Sequence, residues 1–219
     1  MPLTFALLTL LVIQMQATRT LIQDNFNIPA QPWADVCEAA PGQKSYDENL
    51  YCARMEGPAF LVNASSRNKR FYPRPLWDKT IQEAQSRFED GGLFGTISHE
   101  QALDDKAILE GKITHKVTKL WIDEAQQIGK CEILILNNES GQNLALLLRA
   151  GMPLSVSSRA YGAAKGRTSE GHEIIDPDNY FLETFDFVRV PGVPGARPLI
   201  VESHNEVNTN MDEQARTKE

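Results

Sequence analysis

The chain has 219 residues, 42% of them hydrophobic and 23% charged, a composition that builds one core and excludes both wholesale disorder and a polytopic membrane protein. Its 22 basic against 29 acidic residues leave a formal net charge of -7, so no overall field draws it to nucleic acid or anionic lipid. Three cysteines, Cys37, Cys52 and Cys131, without a Cys-x-x-Cys pair fit neither a disulfide framework nor a zinc knuckle, and point to a reducing compartment.

The first feature along the chain is the apolar run Phe5-Ala6-Leu7-Leu8-Thr9-Leu10-Leu11-Val12-Ile13. It has the length of a signal-peptide core and is too short to span a bilayer. No Lys or Arg precedes it and no small-x-small site follows, which argues against secretion, and Met15 offers an alternative start. Were the chain secreted, Asn63 and Asn138 would head glycosylation triplets. Residues 20–23 read as a short strand followed by loop, and residues 50–63 as a strand interrupted at Gly57-Pro58. Pro73 and Pro75 then introduce a helix whose Trp77, Ile81, Ala84 and Phe88 share one face, ended by Gly91-Gly92.

Residues 93–99 read as a strand that delivers His99 at its end. Ile113, His115, Val117 and Trp121 share a parity along the next strand, which pairs with residues 131–136 through the 126–130 turn. Residues 143–150 form a short helix with Ser140 as cap and Gly151 as terminator. Strands follow over 154–161 and 180–190, then a Pro/Gly break and a polar tail from Glu202, expected to be flexible. The sum is a mainly β (α+β) domain with two or three helices.

The four histidines, His99, His115, His172 and His204, show no i, i+4 pair, and His99-Glu100 lacks the second histidine of a zinc-protease helix. Neither a metal nor a cofactor is expected. If the segment Leu154-Ser155-Val156-Ser157-Ser158-Arg159-Ala160-Tyr161-Gly162 is extended, Ser155, Ser157 and Arg159 face one way. A serine needs a base to take its proton, and His99 is the best-placed histidine. Serines in strands are more often solvated or turn-forming, so residue types alone do not choose Ser157.

Four blocks carry more. Ser66-Arg67-Asn68-Lys69-Arg70-Phe71-Tyr72-Pro73, Gly92-Leu93-Phe94-Gly95-Thr96-Ile97-Ser98-His99, Arg149-Ala150-Gly151 leading into Val156-Ser157-Ser158-Arg159-Ala160-Tyr161-Gly162, and Asp186-Phe187-Val188-Arg189-Val190-Pro191 occur in order. They resemble the prohead proteases of T-even-type tailed phages, which are similar in fold to the herpesvirus assemblins. The resemblance covers residues 50–195 and implies a herpesvirus-protease-like β-barrel flanked by a few helices, with His99 as base and Ser157 as nucleophile of a peptide-bond hydrolysis. It leaves Ser158 and Arg159 as oxyanion or substrate groups, with Arg159 acting through its backbone or its guanidinium. The third catalytic member stays open. Asp186, a charge set between Phe185 and Phe187, is the first choice; His115 is the alternative, and His172 and Glu110 are weaker ones.

The resemblance also implies scaffold or core proteins and the major capsid protein as substrates, cut after Glu in (Leu/Ile)-x-Glu, inside the prohead in the host cytoplasm. It implies no membrane and no specific nucleic acid, and leaves self-association open. Residues 1–49 then form an N-terminal extension, 50–195 the protease domain and 196–219 a tail removed by self-cleavage. The chain holds four (Leu/Ile)-x-Glu triplets, ending at Glu83, Glu110, Glu124 and Glu202, and only Glu202 lies beyond the expected folded elements. The basic Arg67, Lys69 and Arg70 form either a solvated turn or a docking patch for acidic scaffold. Two other classes compete: a non-catalytic β-barrel that acts in assembly, and a secreted binding domain.

Overall fold

The computed structural model describes residues 20–24, 46–189 and 199–203; the apolar run at 2–15, Cys37 and the tail beyond residue 203 lie outside them. In chain order the elements are β1 (Thr20–Asp24), β2 (Tyr51–Leu61), β3 (Ala64–Ser65), β4 (Arg70–Tyr72), α1 (Arg74–Glu89), β5 (Leu93–Gly95), α2 (Asp105–Leu109) and β6 (His115–Asp123). The second half adds β7 (Ile128–Leu136), α3 (Glu139–Arg149), β8 (Ser155–Gly162), β9 (Ala164–Arg167), β10 (Glu173–Ile175), a 3-10 turn (Pro177–Asn179), β11 (Phe181–Val188) and β12 (Leu199–Ser203). The strands form three sheets, ordered β12-β2-β7-β6-β5, β1-β8-β11 and β3-β4-β10-β9. The fold is mainly β as expected, and among the described residues no sheet closes into a barrel.

The five-stranded sheet grows from the β6–β7 hairpin, whose turn Asp123 shapes by accepting the N–H groups of Ala125 and Gln126. Its register slips at Thr118, so Leu120 rather than Trp121 follows Val117 on the buried face, a bulge that ordinary alternation does not foresee. Strand β2 runs unbroken through Gly57-Pro58. Strand β12 covers β2 only between Ala53 and Glu56, so Pro58, which has no N–H to give, sits past its end and beside a second bulge. The expected boundaries after residues 49 and 195 leave out two strands that the sheets include: β1 pairs with β8, and β12 with β2.

Helix α1 starts after Pro73 with Pro75 in its first turn, where a missing N–H costs nothing. It buries Leu76, Trp77, Thr80 and Ala84. The Trp77 ring stacks on Phe60 at 3.8 Å between centroids, and its Nε1 donates to the Leu61 carbonyl at 2.9 Å, so this large side chain is both packed and satisfied. Gly92 ends the turn after α1 at φ +94, where an added Cβ would meet the Val117 carbonyl at 2.8 Å. Helix α3 starts two residues earlier than its expected Ser140 cap, because the Asn138 side chain accepts the Gly141 N–H at 2.7 Å.

Candidate active site

Strand β8 is the middle of its sheet, and β11 runs antiparallel beside it with Asp186 directly opposite Ser157. Opposed residues on neighbouring strands project to the same face, so the register alone brings the hydroxyl and the carboxylate together. The histidine arrives from a loop. Strand β5 stops at Gly95, and the chain turns along β11: Phe187 N–H donates to the Thr96 carbonyl at 3.0 Å, Ser98 N–H to the Phe187 carbonyl at 2.7 Å, and Ile97 bridges Phe187. Ser98 takes φ +76, a left-handed conformation that bends the chain out of the expected strand and sets His99 between the two β residues.

His99 Nδ1 lies 2.7 Å from Asp186 Oδ2, and His99 Nε2 lies 2.7 Å from Ser157 Oγ. An ionised carboxylate only accepts, so Nδ1 carries the ring proton and donates it to Asp186; Nε2 then has a free lone pair and accepts the serine O–H. Ser157 and Asp186 are fully buried, while the His99 side chain keeps 14% of its surface exposed. Burial is the largest influence on Asp186 and pushes its carboxyl up. The hydrogen bonds from His99 and Arg159, the Arg159 charge and the Thr96 N–H outweigh it and hold Asp186 below the usual carboxylate range.

His115 is kept away from this line. It is fully buried, donates from Nε2 to the Phe185 carbonyl at 2.7 Å and accepts at Nδ1 from the Thr114 hydroxyl at 2.8 Å. Burial pushes its pKa down, against that carbonyl and the Asp186 charge, so it stays neutral. Gly95 makes the contact possible, since a Cβ there would run into His115 Nε2 and the Phe185 carbonyl. His172 bonds Ser65 Oγ at 2.8 Å, and Glu110 caps the C-terminus of α2; the hydrogen bonds of neither reach His99.

Ser158 and Arg159, expected as oxyanion or substrate groups, both lie buried in strand β8. Ser158 projects to the opposite face from Ser157 and is fully buried. Both residues are flanked by β1 on one side and β11 on the other, so their backbone N–H groups run toward partner strands. The Arg159 guanidinium donates from Nε to Asp186 Oδ2 at 2.7 Å and from Nη2 to the Gln101 carbonyl at 2.8 Å. Among the described residues no group of three or more His, Cys, Asp or Glu could hold a metal.

A family model described as prohead core protein serine protease matches residues 24–206. The chain belongs to that family. The prohead core protein protease of Enterobacteria phage T4 is 24% identical over 143 residues, 65% of this chain and 66% of that protein, just under two thirds of its length. Among solved structures, the capsid assembly protease of bacteriophage T4 matches with a TM-score of 0.61 at 19% identity, over 79% of this chain and 99% of that one, which shows a shared fold. The candidate site of this prohead protease family member includes one residue that sequence patterns do not single out. Thr96 donates its N–H to Asp186 Oδ1 at 3.0 Å, with its hydroxyl 3.2 Å from the same oxygen. Its only signal is its place three residues before His99.

Proposed function

We propose that this prohead protease family member is a serine endopeptidase of capsid maturation. It acts inside the prohead on scaffold and major capsid proteins, cutting after Glu in (Leu/Ile)-x-Glu. What supports this reading is a single arrangement: His99 hydrogen-bonded at 2.7 Å to Ser157 through one ring nitrogen and at 2.7 Å to Asp186 through the other. That is the hydrogen-bond line by which a neutral imidazole takes a serine proton.

In the reaction the Ser157 O–H proton passes to His99 Nε2 as Oγ attacks the peptide carbonyl carbon. Asp186, ionised because its pKa is depressed, stabilises the resulting imidazolium through Nδ1–H without taking the proton. His99 then protonates the leaving amine, the peptide C–N bond breaks, and water releases the acyl group from Ser157 by the reverse sequence. No membrane enters the scheme, and among the described residues no helix is long and apolar enough to cross one. The chain's own Ile200-Val201-Glu202 satisfies the same pattern, and the reading extends to self-cleavage there.

The test is cleavage of a synthetic peptide carrying one Ile-x-Glu triplet, followed by mass spectrometry. Wild type is expected to cut after the Glu, Ser157→Ala not at all, and Asp186→Asn about 10⁴-fold more slowly, because an amide leaves His99 in the wrong tautomer. Cleavage by Ser157→Ala at the wild-type rate would remove Ser157 from the mechanism. An intact peptide with every protein would favour the non-catalytic assembly role.

A further inference from the structure

Arg159 is a cation only 5% exposed, and its hydrogen bonds join two pieces of the site that are far apart in sequence. Its Nε donates to Asp186 Oδ2 at 2.7 Å, the same oxygen that accepts His99 Nδ1–H. From Nη2 it reaches the carbonyls of Gln101 at 2.8 Å and Ser98 at 3.4 Å, which bracket His99 in the chain. Ser98 is the strained residue of that loop, at φ +76, and strain of this kind persists only where neighbours hold it. A second carboxylate, Glu183, stands 3.9 Å from Nε, too far to hydrogen-bond, so Asp186 is the anion that orients the fork.

We propose that Arg159 is the positioning residue of this site: one guanidinium ties the carboxylate that orients His99 to the loop that carries His99, and so fixes Nε2 against Ser157 Oγ. This rests on the serine endopeptidase reading and deepens it. The fork is what the task needs. A lysine would keep the charge, but a single ammonium on a flexible stem cannot hold a carboxylate and two carbonyls in one plane. Displacing an imidazole by about 1 Å is enough to cost about a hundredfold in turnover, while the surface that binds peptide is untouched.

The test compares wild type with Arg159→Lys, Arg159→Met, Glu183→Gln and Ser157→Ala by two readouts. The first is the split between kcat and KM on the Ile-x-Glu peptide. The second is the far-downfield proton resonance of the Nδ1–H bond between His99 and Asp186, which needs no turnover. Both Arg159 variants are expected to lose kcat about a hundredfold with little change in KM, and to lose the resonance, while near-UV circular dichroism stays native. Glu183→Gln should keep kcat within about twofold, because its ion pair is long and partly exposed. Ser157→Ala should keep the resonance without activity. Full kcat with an intact resonance in Arg159→Lys, a loss confined to KM, or failure of both Arg159 variants to fold would each overturn the proposal. If wild type cuts no peptide yet its resonance depends on Arg159, the positioning role stands and the endopeptidase reading falls.

Discussion

Asp186 has no exposed surface, and an isolated carboxylate there would be protonated rather than charged. It is ionised because His99 Nδ1, Arg159 Nε and the Thr96 N–H and hydroxyl surround its two oxygens. Buried pairs of this kind add little net stability, so their worth lies in fixing geometry. His115, packed nearby against the Phe185 carbonyl, does the opposite work: it is neutral, and its bonds hold the chain just before Asp186. The two groups leave separable marks on stability. His115 has a lowered folded pKa, so below its ordinary value near 6.5 the unfolded chain binds a proton that the folded one refuses. Stability therefore falls as pH drops from about 6.5 toward the folded pKa, by at most about 1.4 kcal/mol per pH unit. Asp186 has a depressed pKa, so its contribution is present above the ordinary carboxylate value and is lost only in stronger acid, as pH falls through its folded pKa. His115→Gln should cost about 1–3 kcal/mol at pH 7.5 through the lost hydrogen bonds, yet flatten the decline between pH 7 and 5. Urea melts at both pH values check it; an unchanged pH slope would mean that another group titrates.

At the scale of elements, strand β8, which carries Ser157, is flanked on both sides by β1 and β11. Strand β1 lies N-terminal to everything the sequence blocks cover, yet it pairs along β8 from Gly162 to Ser158 and removes one sheet edge. Ile22 points into the core at 3% exposure and Leu21, on the other face, stays 43% exposed. Ile22→Ala is thus expected to destabilise the protein by about 2–5 kcal/mol, and Leu21→Ala by no more than about 0.5 kcal/mol. Equal shifts in Tm for the two would contradict the docking of β1. The same strands show where a sequence is legible. Trp77 and Ala84 mark a helix because their period is 3.6, and the alternation of Ser155, Ser157 and Arg159 marks a face because strands repeat every two residues. The four-stranded sheet of β3, β4, β10 and β9 has strands of two to four residues, too short for any period to register. Nor does alternation count across a bulge. The slip in β11 between Leu182 and Thr184 decides that Thr184 meets Arg159 and Asp186 meets Ser157, and no local pattern encodes it. His99 is legible as a candidate base, but the guanidinium of Arg159 is not legible as its tether, since the bond to Gln101 joins residues 58 apart in the chain.

For the whole molecule, the proposed self-cleavage depends on which (Leu/Ile)-x-Glu can be drawn out into an extended substrate. Glu83 lies in α1 and Glu110 caps α2. Glu124, in the β6–β7 turn, has both carboxylate oxygens held by Arg74. Glu202 is expected at the head of an unpaired tail, but it lies in β12, in register with Arg54 of β2. The apolar Leu199-Ile200-Val201 explains this, since a β-branched run adds readily to an open sheet edge. Among the described residues strand β12 is nonetheless the outermost of its sheet, bound by one ladder only, whereas opening α1 would expose the buried Trp77. An edge strand opens by breaking one ladder, and that is the opening that cleavage at Glu202 needs. Truncation after Glu202 is therefore expected to release residues 203–219, with a first-order rate constant below kcat on an unstructured Ile-x-Glu peptide because the ladder must open first. Intact-mass analysis over time should show this loss in wild type and never in Ser157→Ala. A truncation present in both proteins, or absent from wild type while it cuts the peptide, would show that Glu202 is not where this chain cuts itself.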